Sequence, residues 1–158
     1  VHLSVPTLLN IYIEEIHMKW GDKSILQGIK NPSNEAYEIV IECPELTFLG
    51  DRDQPDFGYV TITMVPSSSV IELKAFKKYI YSFRNNRLSY ERFVNTIYDH
   101  ITDVFAPQRL VVEAGFNPRG GINSKLKEHD NLLIILKDHY GLVSTVQLDA
   151  LLTTKRFL

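Results

Sequence analysis

The chain has 158 residues, of which 44% are hydrophobic and 23% are charged, and its formal net charge is −2 at pH 7. This size and composition suit one globular domain, and the small negative charge gives no field that would attract nucleic acid. A single cysteine, Cys43, excludes an intramolecular disulfide and a thiolate-rich zinc site, and it is typical of a reduced, cytoplasmic setting.

Residues 1–36 are predicted to be an N-terminal extension and a loop-rich lead-in, with Met18 as a candidate start of the folded part. The apolar run at residues 8–13 is shorter than the roughly 20 residues that span a bilayer and has no basic leader, so we expect neither a membrane span nor a signal peptide. Residues 19–36 are rich in Gly, Asn, Pro and Ser, which indicates loops. The five histidines show no close ligand spacing, so no metal site is expected.

Two strands are predicted after the lead-in. Residues 37–43 are rich in β-branched side chains and end at Pro44, and residues 59–65 alternate polar or aromatic side chains with aliphatic ones. The charged segment 47–58 is predicted to connect them. Because loops held by a rigid sheet concentrate binding residues, this segment is a candidate functional loop, with a merely solvated loop as the alternative. Its charged residues are Asp51, Arg52, Asp53 and Asp56.

Two helices follow a turn at residues 66–69. The first is predicted over residues 72–84, with a basic face that is either solvated or a seat for a phosphorylated ligand. Its apolar face repeats at helical spacing through Leu73, Phe76, Ile80 and Phe83. The second helix is predicted to begin at the N-cap Ser89 and to end before Pro107. Its apolar face comprises Tyr90, Phe93, Val94, Ile97, Ile101 and Val104.

The remaining elements are a strand at residues 109–116, a turn, and a short fourth strand that begins at Ile122. Residues 123–158 are predicted to be a tail, helical at 132–140 and 146–152. The resulting order of two strands, two helices and two strands predicts an α+β domain, with both helices on one face of an antiparallel sheet. Such a sheet has two open edges, so we expect edge-to-edge oligomerisation.

Five blocks, in this order along residues 37–122, resemble the QueF-type nitrile reductases, which use NADPH to reduce 7-cyano-7-deazaguanine in queuosine biosynthesis for transfer RNA. The blocks are Q-P-D-F at 54–57, E-L-K-A-F-K-K-Y at 72–79, S-F-R-N at 82–85, Glu91, and F-N-P-R-G-G at 116–121. The resemblance implies the tunnelling fold and a homo-oligomeric barrel with ligand sites between subunits. It also implies a purine-like small molecule as ligand, with no direct contact to nucleic acid.

The resemblance also implies roles for single residues. Asp56 corresponds to the proton donor, and Glu91 to the glutamate that anchors the purine-like base, beside Tyr90 where the family has a histidine. The NADPH motif of the family covers Glu72, Lys74 and Lys77, and Arg119 is assigned to the same cofactor group, with a turn or subunit contact as its alternative. Taken singly, Asp56 is also explained as a turn residue and Glu91 as a favourable first-turn acid.

One motif departs from the family pattern. The family nucleophile is a cysteine seven residues before the aspartate, in Cys-Pro-x-x-Gly-Gln-Pro-Asp; here that position is Leu49, or Gly50 if the loop is one residue shorter. Neither can form the covalent thioimide, and Cys43 lies on the preceding strand. Three hypotheses follow: an NADPH-dependent 7-cyano-7-deazaguanine reductase, a reductase of a carbon–nitrogen double bond in a purine- or pterin-like ligand, and a non-catalytic subunit that only binds such a ligand.

Overall fold

The computed structural model describes residues 20–129, which form an α+β unit of six strands and two helices. Four strands come first in the chain, then both helices, then two final strands. The elements are β1 (Gly28–Lys30), β2 (Ile39–Leu49), β3 (Pro55–Val65), β4 (Ser69–Ile71), α1 (Leu73–Tyr81), α2 (Tyr90–Phe105), β5 (Arg109–Arg119) and β6 (Ile122–His129).

The main sheet is antiparallel, with the order β2-β3-β5-β6, and β1 and β4 form a separate two-stranded sheet. Alternate residues of β3, namely Val60, Ile62 and Met64, are buried against the core, to which both helices contribute. The predicted α+β class and the β-β-α-α-β-β arrangement of the tunnelling fold are therefore confirmed. The assembly of subunits into a barrel stays a prediction.

The predicted charged connection at residues 47–58 is wrong, because β2 runs on to Leu49 and β3 begins at Pro55. Only residues 50–54 join the two strands. Pro44, predicted to end or edge the first strand, does not end β2; it lies in a β-bulge, where the pairing of β2 with β3 shifts between Cys43 and Leu46. A bulge leaves a residue out of the ladder, so it accommodates a proline that has no N–H to donate.

A second β-bulge lies between Phe116 and Arg119, where β5 pairs with β6. A shift of one residue turns every following side chain to the opposite face of a sheet. Phe116 is buried on the helix-covered face, and simple alternation would place Pro118 on that face as well. With the extra residue, Arg119 takes that orientation instead.

Helix α1 is shorter than the predicted 72–84, and its buried face differs. Leu73 is 61% exposed, whereas Tyr79 is fully buried. The difference arises at the helix start, where Glu72 is the N-cap and accepts hydrogen bonds from the backbone of Lys74 and Ala75. Leu73 therefore occupies the first helical position, and the residues that face the core are Ala75, Phe76, Tyr79 and Ile80.

Helix α2 begins where predicted, with the Ser89 hydroxyl accepting from the backbone N–H of Arg92. It ends at Phe105, followed by Ala106 in the left-handed conformation with φ of 40°. Phe105, rather than the predicted Val104, joins the core at this end, since Val104 is exposed.

Three further predictions differ from the structure. The lead-in predicted as loops contains β1, which pairs with β4. Ser69 begins β4 instead of closing a turn. The fourth strand of the main sheet continues to His129, into the predicted tail. The predicted helical stretches 132–140 and 146–152 and the proposed start at Met18 lie outside the described residues, and the predicted domain boundaries stay predictions. No helix within residues 20–129 is both long and apolar enough to cross a membrane.

Candidate functional site

Among residues 20–129, Asp56 is the one charged or polar residue that is buried, with 6% of its surface exposed. It lies near the start of β3, on the face that the helices cover. Its Oδ1 accepts a hydrogen bond from the Tyr90 hydroxyl at 3.1 Å and lies 2.6 Å from Nη2 of Arg119. A buried carboxylate requires such partners, because burial without them costs several kcal/mol. Three of the predicted site residues are therefore brought together.

Tyr90 is fixed from two sides. As the first residue of α2 it follows the Ser89 cap, and its ring lies on that of Phe116. Burial raises the pKa of Tyr90, and the hydrogen bond to Asp56 raises it further. The phenol is therefore protonated at neutral pH and acts as a donor to the carboxylate.

An aromatic cluster supports this end of the sheet, and two of its members, Phe48 and Phe116, contact the Tyr90 ring. Phe48 stacks on Phe93 with ring centroids 5.0 Å apart, and both make edge contacts with Phe116. Phe48 and Phe93 are fully buried. Rigid packing of this kind holds a polar group in one position without further hydrogen bonds.

Arg119 reaches Asp56 because of the bulge in β5. Its Nη2 also donates to the backbone carbonyl of Pro55 at 3.3 Å. The turn beyond it contains Gly120 and Gly121 with φ of 56° and 78°, a conformation that glycine adopts without strain. The resemblance assigns Arg119 to the cofactor group, whereas in the structure its guanidinium is paired with Asp56, the candidate proton donor.

Gly50 lies against the other oxygen of the Asp56 carboxylate. A Cβ on residue 50 would come closer than 3.0 Å to Oδ2. Of the two positions that correspond to the family cysteine, Gly50 is thus the one beside Asp56, whereas Leu49 forms backbone hydrogen bonds with Asn86 and Leu88. Cys43 precedes Gly50 by seven residues on β2, or roughly 20 Å in an extended strand.

Glu91 directly follows Tyr90 in the first turn of α2 and is exposed. Its backbone carbonyl accepts a hydrogen bond from the Asn95 side chain. An exposed acid next to the Asp56 cluster is placed to receive a ligand, but its role as base anchor stays a prediction.

The remaining predicted cofactor residues lie on α1, apart from the Asp56 cluster. Glu72 uses both carboxylate oxygens to cap the helix, at 2.8 Å from the Lys74 amide and 2.7 Å from the Ala75 amide. These hydrogen bonds lower the pKa of Glu72. Lys74 and Lys77 are exposed on the same helix, and three residues apart they share a face.

A groove of about 490 Å³ runs between β2 and α1, and Lys77 lines it. Its apolar wall includes Leu73, Phe76 and Ile80, and Cys43 lies at its β2 side. This size is within the usual range for small-molecule sites. None of the described contacts joins this groove to Asp56. The chain therefore presents two separate regions: the acid cluster, which consists of Asp56, Tyr90 and Arg119, and the groove between β2 and α1.

A second cleft, of about 610 Å³, was not foreseen from sequence. It is lined by residues of β2, β3 and β5 and by Arg84, and Phe57, 54% exposed, contributes an aromatic face. Asp56, Tyr90 and Arg119 are not part of its lining. Neighbouring residues of β3 point to opposite faces of the sheet, which separates Phe57 from Asp56.

A sequence profile described as "QueF-like protein" matches residues 55–131. The chain is 42% identical over 103 residues to the "NADPH-dependent 7-cyano-7-deazaguanine reductase" of Chlorobaculum parvum, which covers 64% of this chain and 89% of that protein. It is also 42% identical over 111 residues to the protein of the same name from Wolinella succinogenes, covering 70% of this chain and 90% of the relative. The chain belongs to the QueF-like family.

A solved structure agrees with this at the level of fold. The apo form of an "archaeosine synthase QueF-Like" superposes with a TM-score of 0.53 at 14% sequence identity, covering 61% of this chain and 94% of that one. Where the resemblance predicts a cysteine, this chain has Leu49 or Gly50, and of these two Gly50 lies against the Asp56 carboxylate. Within residues 20–129, no three His, Cys, Asp or Glu side chains form a group that could hold a metal ion.

Proposed function

We propose that this chain is an NADPH-dependent reductase that acts on 7-cyano-7-deazaguanine, without a covalent thioimide. The observation that carries the proposal is Asp56: an acid buried beside Tyr90 and Arg119, in a chain whose relatives are named for this reaction. A nitrile becomes an aminomethyl group when its carbon gains two hydrides and its nitrogen gains two protons. Asp56 is the proposed source of the protons.

Recognition of the base is assigned to Glu91. A carboxylate accepts two hydrogen bonds at once, from a ring N–H and from an exocyclic amine, as the guanine-like edge of the substrate offers them. Glu91 is exposed at the start of α2 and adjacent to Tyr90, so a base held there would lie near Asp56.

The groove between β2 and α1 is the proposed seat of NADPH. Lys77 lines the groove and offers positive charge for its phosphates, Lys74 lies outside the lining on the same exposed face of α1, and the apolar side chains of the groove suit an aromatic ring. When bound, NADPH supplies hydride. Because the groove and the acid cluster are separate in one subunit, we propose that a homo-oligomer joins the groove of one subunit to the acid cluster of its neighbour, across the open edges of the sheet.

A second candidate function is favoured by Gly50. Hydride adds to a bare nitrile with difficulty, and a thiolate normally makes the carbon more reactive by forming a thioimide. Residue 50 offers no side chain, and Cys43 is too far along β2 to replace it. A purine- or pterin-like ligand with a ring carbon–nitrogen double bond needs one hydride and one proton and no nucleophile.

The test is to incubate the purified protein with 7-cyano-7-deazaguanine and NADPH, following absorbance at 340 nm and identifying the product by mass spectrometry, with calorimetry for binding. The proposed function predicts two NADPH consumed per aminomethyl product. Binding of 7-cyano-7-deazaguanine without NADPH oxidation supports the second candidate, which is then tested with dihydropterins at one NADPH per product. Absence of binding by both 7-cyano-7-deazaguanine and NADPH rejects the proposed function.

A further inference from the structure

The two oxygens of the Asp56 carboxylate have different surroundings. Both donors, the Tyr90 hydroxyl and Nη2 of Arg119, lie on Oδ1, at 3.1 Å and 2.6 Å. Oδ2 is directed at Gly50, where a Cβ would meet it first and the Asp56 Cγ next, at 3.2 Å. One oxygen is thus held by the protein, and the other faces the place that a side chain of residue 50 would fill.

The glycine at position 50 is required by space and not by backbone conformation. Its φ is −86°, which any L-residue can adopt. A clash with the end of a free carboxylate would be relieved by rotation of the Asp56 side chain. Here rotation would break the ion pair and the hydrogen bond on Oδ1, and it is costly because the Asp56 side chain is only 7% exposed, although Arg119 is 45% exposed.

Arg119 is itself held in place. Its Nη2 contacts the Pro55 carbonyl as well as Oδ1 of Asp56, so the guanidinium is tied to the backbone immediately before the acid. A lysine would supply the charge at this position, but it lacks the planar set of donors that contacts two acceptors at fixed angles.

We propose that Arg119 is a positioning residue for Asp56: by holding Oδ1 it keeps Oδ2 against Gly50, and from there Oδ2 protonates the substrate nitrogen. This deepens the proposed function and rests on it. Before the step, Oδ2 takes up a proton from water; the Oδ2–H bond then breaks and an N–H bond forms, while the carbon takes hydride from the reduced nicotinamide. The carboxylate that remains is left in its ion pair with Arg119.

The test compares Arg119→Met and Arg119→Lys with Arg87→Met. Arg87 pairs with Asp53 at the same distance, 2.6 Å, but both partners are exposed and belong to no proposed site, so it is a matched control. For Arg119→Met we expect kcat to fall about 100-fold, the usual effect of misplacing a catalytic group by about 1 Å, with KM and the Kd for 7-cyano-7-deazaguanine within about twofold. Arg119→Lys recovers part of kcat, and Arg87→Met matches the wild type.

A second measurement does not depend on turnover. The positive charge of Arg119 lowers the pKa of Tyr90, against the larger effects of burial and Asp56 that raise it. In protein labelled with [13Cζ]tyrosine, with the Tyr90→Phe variant identifying the signal among eight tyrosines, we expect Arg119→Met to raise the pKa of Tyr90 and Arg87→Met to leave it unchanged. An unchanged Tyr90 titration in Arg119→Met overturns the proposal.

Gly50→Ala tests the contact between Gly50 and Oδ2 of Asp56. We expect it to lower the melting temperature, because its Cβ displaces Oδ2 and strains the contacts of Oδ1, and to lose most of its kcat while it still binds 7-cyano-7-deazaguanine. A Gly50→Ala enzyme with wild-type kcat overturns this part, and a change in KM alone for Arg119→Met identifies Arg119 as a ligand contact instead. If the wild type shows no NADPH oxidation, the proposed function fails by itself, and the Tyr90 titration still decides whether Arg119 holds Asp56.

Discussion

The rings of Tyr90 and Phe116 lie parallel, with centroids 3.8 Å apart and an interplanar angle of 3°. This contact joins the first residue of α2 to the end of the buried part of β5. Because both ends of the stack are held by regular backbone, the Tyr90 hydroxyl has little freedom, and Asp56 meets it at a fixed position. The helix start and the sheet together therefore determine where the candidate acid lies.

Asp56→Asn tests the acid itself. Because an amide gives up no proton under these conditions, we expect NADPH oxidation to fall by about 10²- to 10⁴-fold, the usual contribution of a general acid. The variant keeps an oxygen for Tyr90 and Arg119, so calorimetry should still detect binding of 7-cyano-7-deazaguanine. Asp51→Asn, at an exposed acid of the same connection, is the control and should keep full activity. Full activity of Asp56→Asn would contradict the assignment.

Glu91→Gln tests recognition of the base. The amide replaces an acceptor with a donor at one of the two hydrogen bonds, so binding of 7-cyano-7-deazaguanine should weaken by at least about tenfold, corresponding to about 1.4 kcal/mol. The helix also loses a favourable first-turn charge, and its melting temperature is measured alongside. Glu38→Gln, an exposed acid away from α2, is the matched control. Equal affinities for wild type and Glu91→Gln would remove Glu91 from the site.

Lys77→Ala tests the groove between β2 and α1. The loss of a phosphate partner should weaken NADPH binding, and the difference from wild type should shrink as salt rises from about 0.05 to 0.5 M, because screening already weakens such contacts at high salt. Lys78→Ala is the control, since Lys78 lies on the same helix but does not line the groove. If both variants lose the same affinity, the effect is one of general charge and the groove is not the seat of the cofactor.

Glu72 is predicted to stabilise the folded protein by capping α1, independently of any ligand. Its carboxylate caps α1 through two backbone amides, and these hydrogen bonds lower its pKa. A lowered pKa gives stability that is present above the unfolded value of about 4.5 and is lost as pH falls through the folded value. Glu72→Ala should therefore lower the melting temperature at pH 7 and less at pH 3. Glu72→Gln, which keeps one acceptor, should lie between the two.

Glu128 predicts a pH dependence of the opposite sign. Burial and, to a smaller extent, the nearby charge of Asp99 raise its pKa to about 7. The folded protein then binds more protons than the unfolded chain between pH 4.5 and 7, so stability falls as pH rises through this range. Denaturation at pH 5, 6 and 8 should show that Glu128→Gln removes this decline and that Asp99→Asn reduces it. A Glu128→Gln protein that declines as steeply as the wild type would exclude Glu128 as the source.

The elements of the fold could be predicted from the sequence where a short stretch of residues determines the element. The alternation that ends with Ile62 and Met64 and the capping serine at position 89 each determine an element by themselves, and both elements were predicted correctly in kind. The boundaries were less accessible. Residues 47–58 were assigned to a loop because they are charged, yet Asp56 belongs to β3 and is buried.

The site was only partly accessible, for a related reason. A carboxylate in the core depends on a partner, and the partner of Asp56 is Arg119, 63 residues later in the chain. Motif resemblance identified both residues but gave them separate roles, Asp56 as proton donor and Arg119 as a cofactor contact. Their contact depends on a bulge in β5, and neither composition nor periodicity indicates where a strand takes an extra residue. The steric relation between Gly50 and Asp56 likewise exists only in three dimensions.

The bulge before Arg119 makes this end of the protein sensitive to the number of residues as well as to their kind. Deleting one residue from the bulge would keep every charge and both turn glycines, and in an alignment it would look like an ordinary gap near a hairpin. It would nevertheless turn Arg119 to the opposite surface and leave Asp56 buried without its cation. Comparisons among relatives should therefore record the number of residues between Phe116 and the turn, as well as the presence of the arginine.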